Sequence, residues 1–391
     1  MSPSLPLLLA AALALPARAT VEEERLPRAA AAMPAVIDAF AGLVGDFGHD
    51  WSKARDAREA QALAREYGRR LWLGAKAGIR QRGDFDDRPL YWGRLALTRT
   101  LREQPPGFPI FAADRAAALD ALEQASRGMD EVDFGADRKT LRILVTGFDP
   151  FLLDRNLDQS NPSGVNALLL DGEEIEFDGR RARIETAMFP VRYADFDAGM
   201  VERLLSPWMR GKNGKPQVDL VATVSMGRTG FDLERFPGRR RSTEARVPDN
   251  LNVPSGASRD DPRPPLLDGR PIDGPEFVEF SLPAAAMLAV QAPYRVNDNR
   301  QVTVVPDTQL SADSLAALRG KIAVEGSGGG YLSNEISYRS VRLRDALGVA
   351  RLPVGHIHTP AIKAFEPDKT ARIVDQLRAL LGAAAATLPQ R

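Results

Sequence analysis

From Lys139 onward the sequence alternates short apolar runs with amphipathic segments, and that alternation leaves few folds open. TLRILVTGFDPF, starting at Thr140, is a compact apolar run that breaks at glycine, as a buried strand entering a loop does. NPSGVNALLL, from Asn161, offers a capping residue, a proline and then an apolar helical run. ARIETAMFPV, VDLVATVSMG, QVTVVPD, KIAVEGS and RLPVGHIHTP read as further strands. SLPAAAMLAVQA and ARIVDQLRALLGAAAATL read as helices. Strands separated by helices predict a layered α/β fold with a mostly parallel central sheet over 139–391. In such a sheet, functional groups are expected at the carboxyl ends of strands.

Residues 20–138 have a different character. AFAGLVGDF, WSKARDAREAQALAREYGRRLWLGAKAGI and DRAAALDALEQAS place apolar residues three and four apart, which predicts helices. GDFDDRP and EQPPGFP read as loops. This region carries no chemical motif; packing on the α/β domain or mediating a homo-oligomer are the roles open to it. Ahead of it, MSPSLPLLLAAALALPARAT has the apolar core of an export leader, and Ala17-Arg18-Ala19 is a small-x-small cleavage pattern. Residues 1–19 are therefore expected to be a signal peptide, giving a periplasmic or secreted protein with no stable membrane insertion. Its n-region lacks Lys and Arg, so a cytoplasmic protein is the alternative.

Composition removes several classes of function. Acidic and basic residues balance at 52 each, which gives no reason to expect a nucleic-acid partner. The chain has no cysteine, excluding disulfides, thiolate metal sites and cysteine nucleophiles. With His49, His356 and His358 as its only histidines and no HExxH or Walker-type loop, neither a metal nor another cofactor is expected.

The remaining chemistry lies in four stretches. They are TGFDPF with the following NPS; VSMGRTGFDLERF continuing to ARVPDN; GSGGGYLSNEISY from Gly326; and GHIHTP from Gly355. A nucleophile needs a base within hydrogen-bond reach, and the base needs an orienting carboxylate. Ser333, His358 and Glu234 supply those three types if their strand ends converge. Glycines before a helix let backbone N–H groups approach a developing oxyanion. Phe148 and Phe151, flanking a turn, suit an apolar slot for a small ring. His356 is read as a packed residue on the opposite strand face from His358, His49 as a surface residue in a polar turn, and Gly238 to Arg241 as a solvated loop.

Taken in order, the set TGF-x-PF, NPS, ER, AR-x-PDN, a glycine-rich strand exit and HIHTP resembles pyroglutamyl peptidase I, a family of α/β/α cysteine peptidases. The resemblance runs from Lys139 to Leu388, with enlargements at Gly238–Thr243 and Asn297–Gly320. It implies removal of an N-terminal pyroglutamyl group from a peptide or small amide. Glu234 matches the family's acid, His358 its base, and Ser333 stands where the family has its cysteine. Tyr331 and Asn334 match neighbours of that cysteine. Phe148 and Phe151 match positions flanking the pyroglutamyl ring, and Arg246 matches an arginine near the active centre.

Serine in place of cysteine changes the chemistry. A thiol ionises beside an imidazolium, whereas a serine hydroxyl must lose its proton during attack. Three readings stay open: a serine-type amide hydrolase, a catalytically silent binding or scaffold protein, and a phosphate-binding glycine loop. The last lacks the lysine and the acidic residue that such loops use.

Overall fold

A computed structural model describes residues 18–211 and 214–390. The expected leader, residues 1–19, lies outside those described except for its last two residues. The chain forms two compact units. One holds the residues through Leu73 and Trp92–Asp130; the other holds Gly74–Tyr91 and everything from Glu131 on.

The first unit is helical, as its spacing predicts. Its elements are α1 (Val21–Glu24), α2 (Leu26–Ala32), α3 (Pro34–Asp38), α4 (Ala41–Trp51), the first part of α5 (Ala57–Arg82), most of α6 (Arg88–Glu103), and α7 (Ala112–Ala125). Thr20 starts α1 with a reciprocal capping box to Glu23. Phe47, Trp51 and Tyr67 form an aromatic core, with ring centroids 5.8 Å and 5.2 Å apart. His49 is exposed, as expected, but it belongs to α4 rather than to a turn.

The second unit contains β1 (Leu141–Phe148), β2 (Glu174–Phe177), β3 (Arg180–Phe189), β4 (Leu220–Met226), β5 (Phe231–Glu234), β6 (Leu266–Leu267), β7 (Arg270–Pro271), β8 (Val296–Asn299), β9 (Gln301–Val304), β10 (Thr308–Ser311), β11 (Ala323–Glu325) and β12 (Val354–Thr359). Its helices are α8 (Pro162–Leu170), α9 (Tyr193–Asp197), α10 (Met200–Arg210), α11 (Ala284–Leu288), α12 (Leu332–Ala346) and α13 (Pro367–Ala386). Among the described residues the central sheet runs β2-β3-β1-β4-β12-β5-β8. β3, β1, β4 and β12 are mutually parallel; β2 and β5 pair antiparallel at either side of them. The four parallel strands are almost wholly buried, which is why they read as continuous apolar runs.

The path from β1 through α8 to β3 moves one way along the sheet, and the path from β3 through α10 to β4 moves back. Right-handed crossovers in opposite directions put the two helices on opposite faces. α8 packs with α13, and α10 with α12, which completes the α/β/α sandwich. Asn161 caps α8 by accepting from the Ser163 amide, and Pro162 occupies the first turn.

Two of the expected strands lie elsewhere. QVTVVPD and KIAVEGS supply β9 and β11 of a separate sheet ordered β10-β9-β11, inside and beside the expected enlargement. β9 pairs antiparallel with both neighbours and closes over its own core of Phe236, Phe277, Val302, Val304 and Leu318. Residues 74–91, placed by sequence with the helical region, go with the α/β unit. Lys76 is paired with Asp171, and Asp87 accepts from the Ser160 hydroxyl at 2.6 Å and the Asn161 amide at 3.1 Å.

Candidate active site

β12 and β5 bring the expected base and acid together. His358 is the fifth residue of β12 and lies opposite Asp232 on β5, two residues before Glu234. Its Nδ1 is 2.6 Å from Glu234 Oε1, and the Glu234 side chain is fully buried. Burial raises the Glu234 carboxyl above its ordinary range, and the neighbouring His358 works against that shift. Asn299, on β8, donates its Nδ2 to Glu234 Oε2 at 2.9 Å and to the Ser327 carbonyl at 2.8 Å. Both carboxylate oxygens are thus engaged. Asn299 carries no motif, and only the register of β5 with β8 brings it opposite Glu234.

The glycine-rich stretch connects β11 to α12. Gly326 and Gly329 exchange backbone hydrogen bonds at 3.0 Å, and Gly329 has φ +89°, a conformation that favours glycine. A Cβ on Gly326 would lie 2.1 Å from both Gly238 N and Asn334 Oδ1. The glycines therefore serve close packing against the segment after β5 as well as the entry to α12. Ser333 is the second residue of α12. Its Oγ donates to the Gly328 carbonyl at 3.2 Å and makes no hydrogen bond to His358. The amides of Leu332, Ser333 and Asn334 have no acceptor among the described residues, as the first turn of a helix requires. They offer donors and positive potential at the Ser333 hydroxyl.

Ser333 opens on a small cleft. Phe148, Phe151, Val191, Met226 and Leu332 give it apolar walls, and Asn161, Ser225 and Tyr331 complete the lining with Ser333. The Phe148 ring is stacked on Phe196 at 6.1 Å and 13°. Tyr331 meets Tyr193 edge-on at 5.7 Å and donates its hydroxyl to the Pro248 carbonyl at 3.0 Å. His358 is not part of the lining; Ser225, its register partner on β4, is.

Two residues carried over by resemblance lie apart from the cleft. The Arg246 side chain is 78% exposed and paired with Glu244 at 2.7 Å. Asn334 is buried, but its amide spans Gly238, accepting from N at 3.0 Å and donating to O at 2.8 Å. Its side chain fastens the glycine loop and is not available to a ligand.

The Gly238 to Arg241 segment is not a solvated loop. Arg239 and Arg240 share Glu276, and the buried Arg241 pairs with Glu335 and Asp197. Each guanidinium already has a carboxylate, which leaves none of them to bind an anion.

His356 corrects a second expectation. Residues two apart on a strand share a face. Accordingly, the His356 and His358 rings stand 4.9 Å apart at 88°. His356 is fully buried between Thr223 Oγ1 at Nδ1 and Ser225 Oγ at Nε2, each 2.8 Å away. Burial, with His358 beside it, holds its pKa well below the ordinary histidine value. Among the described residues, no cluster of three or more His, Asp or Glu suits a metal ion, and no helix is long and apolar enough to cross a membrane.

Comparison with known proteins gives the following. Residues 142–262 and 278–363 match the family model "PA0049, C-terminal domain", and residues 9–123 match "PA0049 N-terminal domain". The uncharacterized protein PA0049 of Pseudomonas aeruginosa is 31% identical over 397 residues, covering 78% of this chain and 70% of that protein. Among solved structures, pyrrolidone carboxyl peptidase from the hyperthermophile Pyrococcus furiosus is 19% identical, with a TM-score of 0.42 over 63% of this chain and 99% of that one. A mutant of the same peptidase is similar at 19% identity and TM-score 0.42, over 64% and 100% of the two chains. By sequence, the chain belongs to the PA0049 family and carries both of its domains.

Proposed function

We propose that the chain is a pyroglutamyl-peptidase-type hydrolase that removes an N-terminal pyroglutamyl or similar small cyclic group from a peptide or small amide. In this reading Ser333 attacks the carbonyl, His358 takes the proton from its hydroxyl, and Glu234 holds the imidazole in the required tautomer. The free amides at the start of α12 stabilise the oxyanion as it forms. His358 then returns the proton to the leaving amine, and water hydrolyses the acyl-serine with the same groups. The cleft between Phe148 and Phe151 takes the ring.

The observation that carries this reading is the buried Glu234–His358 pair at 2.6 Å. Burying a carboxylate beside an imidazole costs desolvation free energy, and a triad is the chemistry that uses both. For attack, the Ser333 hydroxyl must leave the Gly328 carbonyl and turn toward His358. Hydrogen bonds to a nucleophile often tighten only when substrate is bound.

A second reading, a catalytically silent binding protein, rests on that same hydrogen bond, because the serine is satisfied without the base. Incubation with a fluorogenic pyroglutamyl amide separates the two. A hydrolase releases the fluorophore, and Ser333→Ala lowers release to background. Background release by the wild type with gain of activity in Ser333→Cys supports the silent reading. Background release by all three variants removes the pyroglutamyl assignment.

A further inference from the structure

Asn299 belongs to no motif of the sequence, yet its side chain links two parts of the candidate site. Its Nδ2 donates to Glu234 Oε2 at 2.9 Å and to the Ser327 carbonyl at 2.8 Å, while its Oδ1 accepts from the Gln301 amide at 3.2 Å. A carbonyl can only accept and a backbone amide can only donate, so these contacts fix which end of the side chain is nitrogen. Register holds it there, because β5 and β8 run parallel with Glu234 directly opposite Asn299. The Arg235 amide also donates to the Asn299 carbonyl at 2.9 Å, which ties the two strand ends together.

Both ends of this link bear on the pair. Among the described residues, the fully buried Glu234 carboxyl has two hydrogen-bond partners: His358 at Oε1 and Asn299 at Oε2. Burial favours the protonated carboxyl, and donors to the charged form oppose it. A protonated Glu234 offers no charge to stabilise an imidazolium on His358. The other charged or titratable groups around the pair do not replace the amide. Asp232 repels a charge on Glu234 and accepts from Asn297, and Asp298 is paired with Arg235 and Arg300. His356 sits between two hydroxyls, and Arg228 favours the carboxylate through space. At the far end of the link, Ser327 is held twice, since its Oγ also accepts from the Phe236 amide at 3.1 Å. The next residue, Gly328, supplies the carbonyl that takes the Ser333 hydroxyl.

We propose that Asn299 is a positioning residue of the Glu234–His358 pair, keeping Glu234 a carboxylate aimed at His358 and fastening it to the glycine loop before Ser333. Its use in catalysis rests on the hydrolase reading; its effect on the pair does not. The deprotonated pair needs the amide donor most. Losing that donor therefore makes the pair take up its proton at higher pH.

Titration of the His358 ring tests it. The chain has three histidines, so the ring ¹⁵N signals of His358 can be assigned by single substitutions. Their pH dependence is compared in wild type, in Asn299→Leu, which is close in size and removes the donor, and in Asn299→Gln, which keeps an amide. Asn299→Leu is expected to move the midpoint up by about one pH unit, and Asn299→Gln by less. Circular dichroism confirms the fold; should Asn299→Leu disturb it, Asn299→Ala takes its place. With a fluorogenic pyroglutamyl amide, the acid limb of kcat/KM is expected to shift together with the ring signals. An unmoved midpoint in the folded variant overturns the role of Asn299 and leaves the hydrolase reading standing. A raised midpoint with no fluorophore release by wild type sustains the role of Asn299 in the pair and removes the hydrolase reading.

Discussion

β12 carries two histidines on one face, and their surroundings give them opposite properties. His358 touches a carboxylate whose other oxygen is held by Asn299. His356 touches two hydroxyls and no charge of opposite sign. A carboxylate stabilises an imidazolium, so on the hydrolase reading His358 has a partner for the charge that general-base catalysis would create. Two hydroxyls satisfy a neutral ring completely and stabilise no added proton strongly enough to offset burial. Residue type and strand face are therefore shared, while the facing groups differ: a carboxylate for His358 and two hydroxyls for His356.

The sharpest way to break this contrast is to remove what distinguishes His358. Glu234→Gln retains the side-chain shape but not the charge. On the hydrolase reading it is expected to lower kcat by roughly 10⁴-fold, as loss of the orienting acid does in serine triads. Steady-state assays, with circular dichroism confirming the fold, measure it. An effect under about 10-fold places Glu234 outside the chemistry.

Next in size is removal of the neutral ring. His356→Leu leaves the Thr223 and Ser225 hydroxyls without their nitrogen partners. A loss of about 2–4 kcal/mol in unfolding free energy at pH 7 is expected, since each orphaned buried group costs about 1–3 kcal/mol. Urea titration checks this; a variant as stable as wild type contradicts the hydrogen-bonded chain.

The smallest effect concerns pH. The folded protein holds His356 neutral, below the ordinary value of about 6.5, so the unfolded chain binds its proton first as pH falls. Stability from this group is present above about pH 6.5 and is lost as pH drops toward the depressed folded value. Against His356→Leu, wild type is expected to lose up to about 1.4 kcal/mol per pH unit below pH 6. Parallel melts at pH 7, 6 and 5 read the difference. Glu234 contributes with the opposite sign: its raised carboxyl favours the folded state at low pH and loses that advantage as pH rises.

Much of the sheet was legible because its strands are buried on both faces. β1, β3, β4 and β12 read as apolar runs ending at turn residues, and the strand-end rule pointed to the stretches around Ser333, Glu234 and His358. β5 and β8 were hidden. FDLE and VNDN are four residues each and carry the polar groups that pair across the sheet edge, such as Asn297 with Asp232 at 2.8 Å. The enlargement around β9 resembled more of the main sheet because a strand's sequence does not say which sheet it joins. His356 was read as packed, which its burial bears out, but its strand face was misassigned and its contact with Ser225 went unread. Their pairing follows from the register of β12 beside β4, and a correct period-two count along GHIHTP would have put His356 on the face of His358. Arg246 and Asn334 illustrate the converse: similar residues in a similar order do not fix where a side chain points.

Asp87 has a practical bearing on how the protein can be divided. It lies just ahead of α6, yet its fully buried carboxyl holds Ser160 and Asn161 at the start of α8, where Asn161 lines the cleft. Burial raises that carboxyl to about 8, so near neutrality the group is mostly protonated. A recombinant fragment beginning at Lys139, where the strand pattern starts, would lack this acid and leave a hydroxyl and an amide beside the cleft without their acceptor. The natural cutting point for the α/β unit is not the first strand; that unit also takes in Gly74–Tyr91.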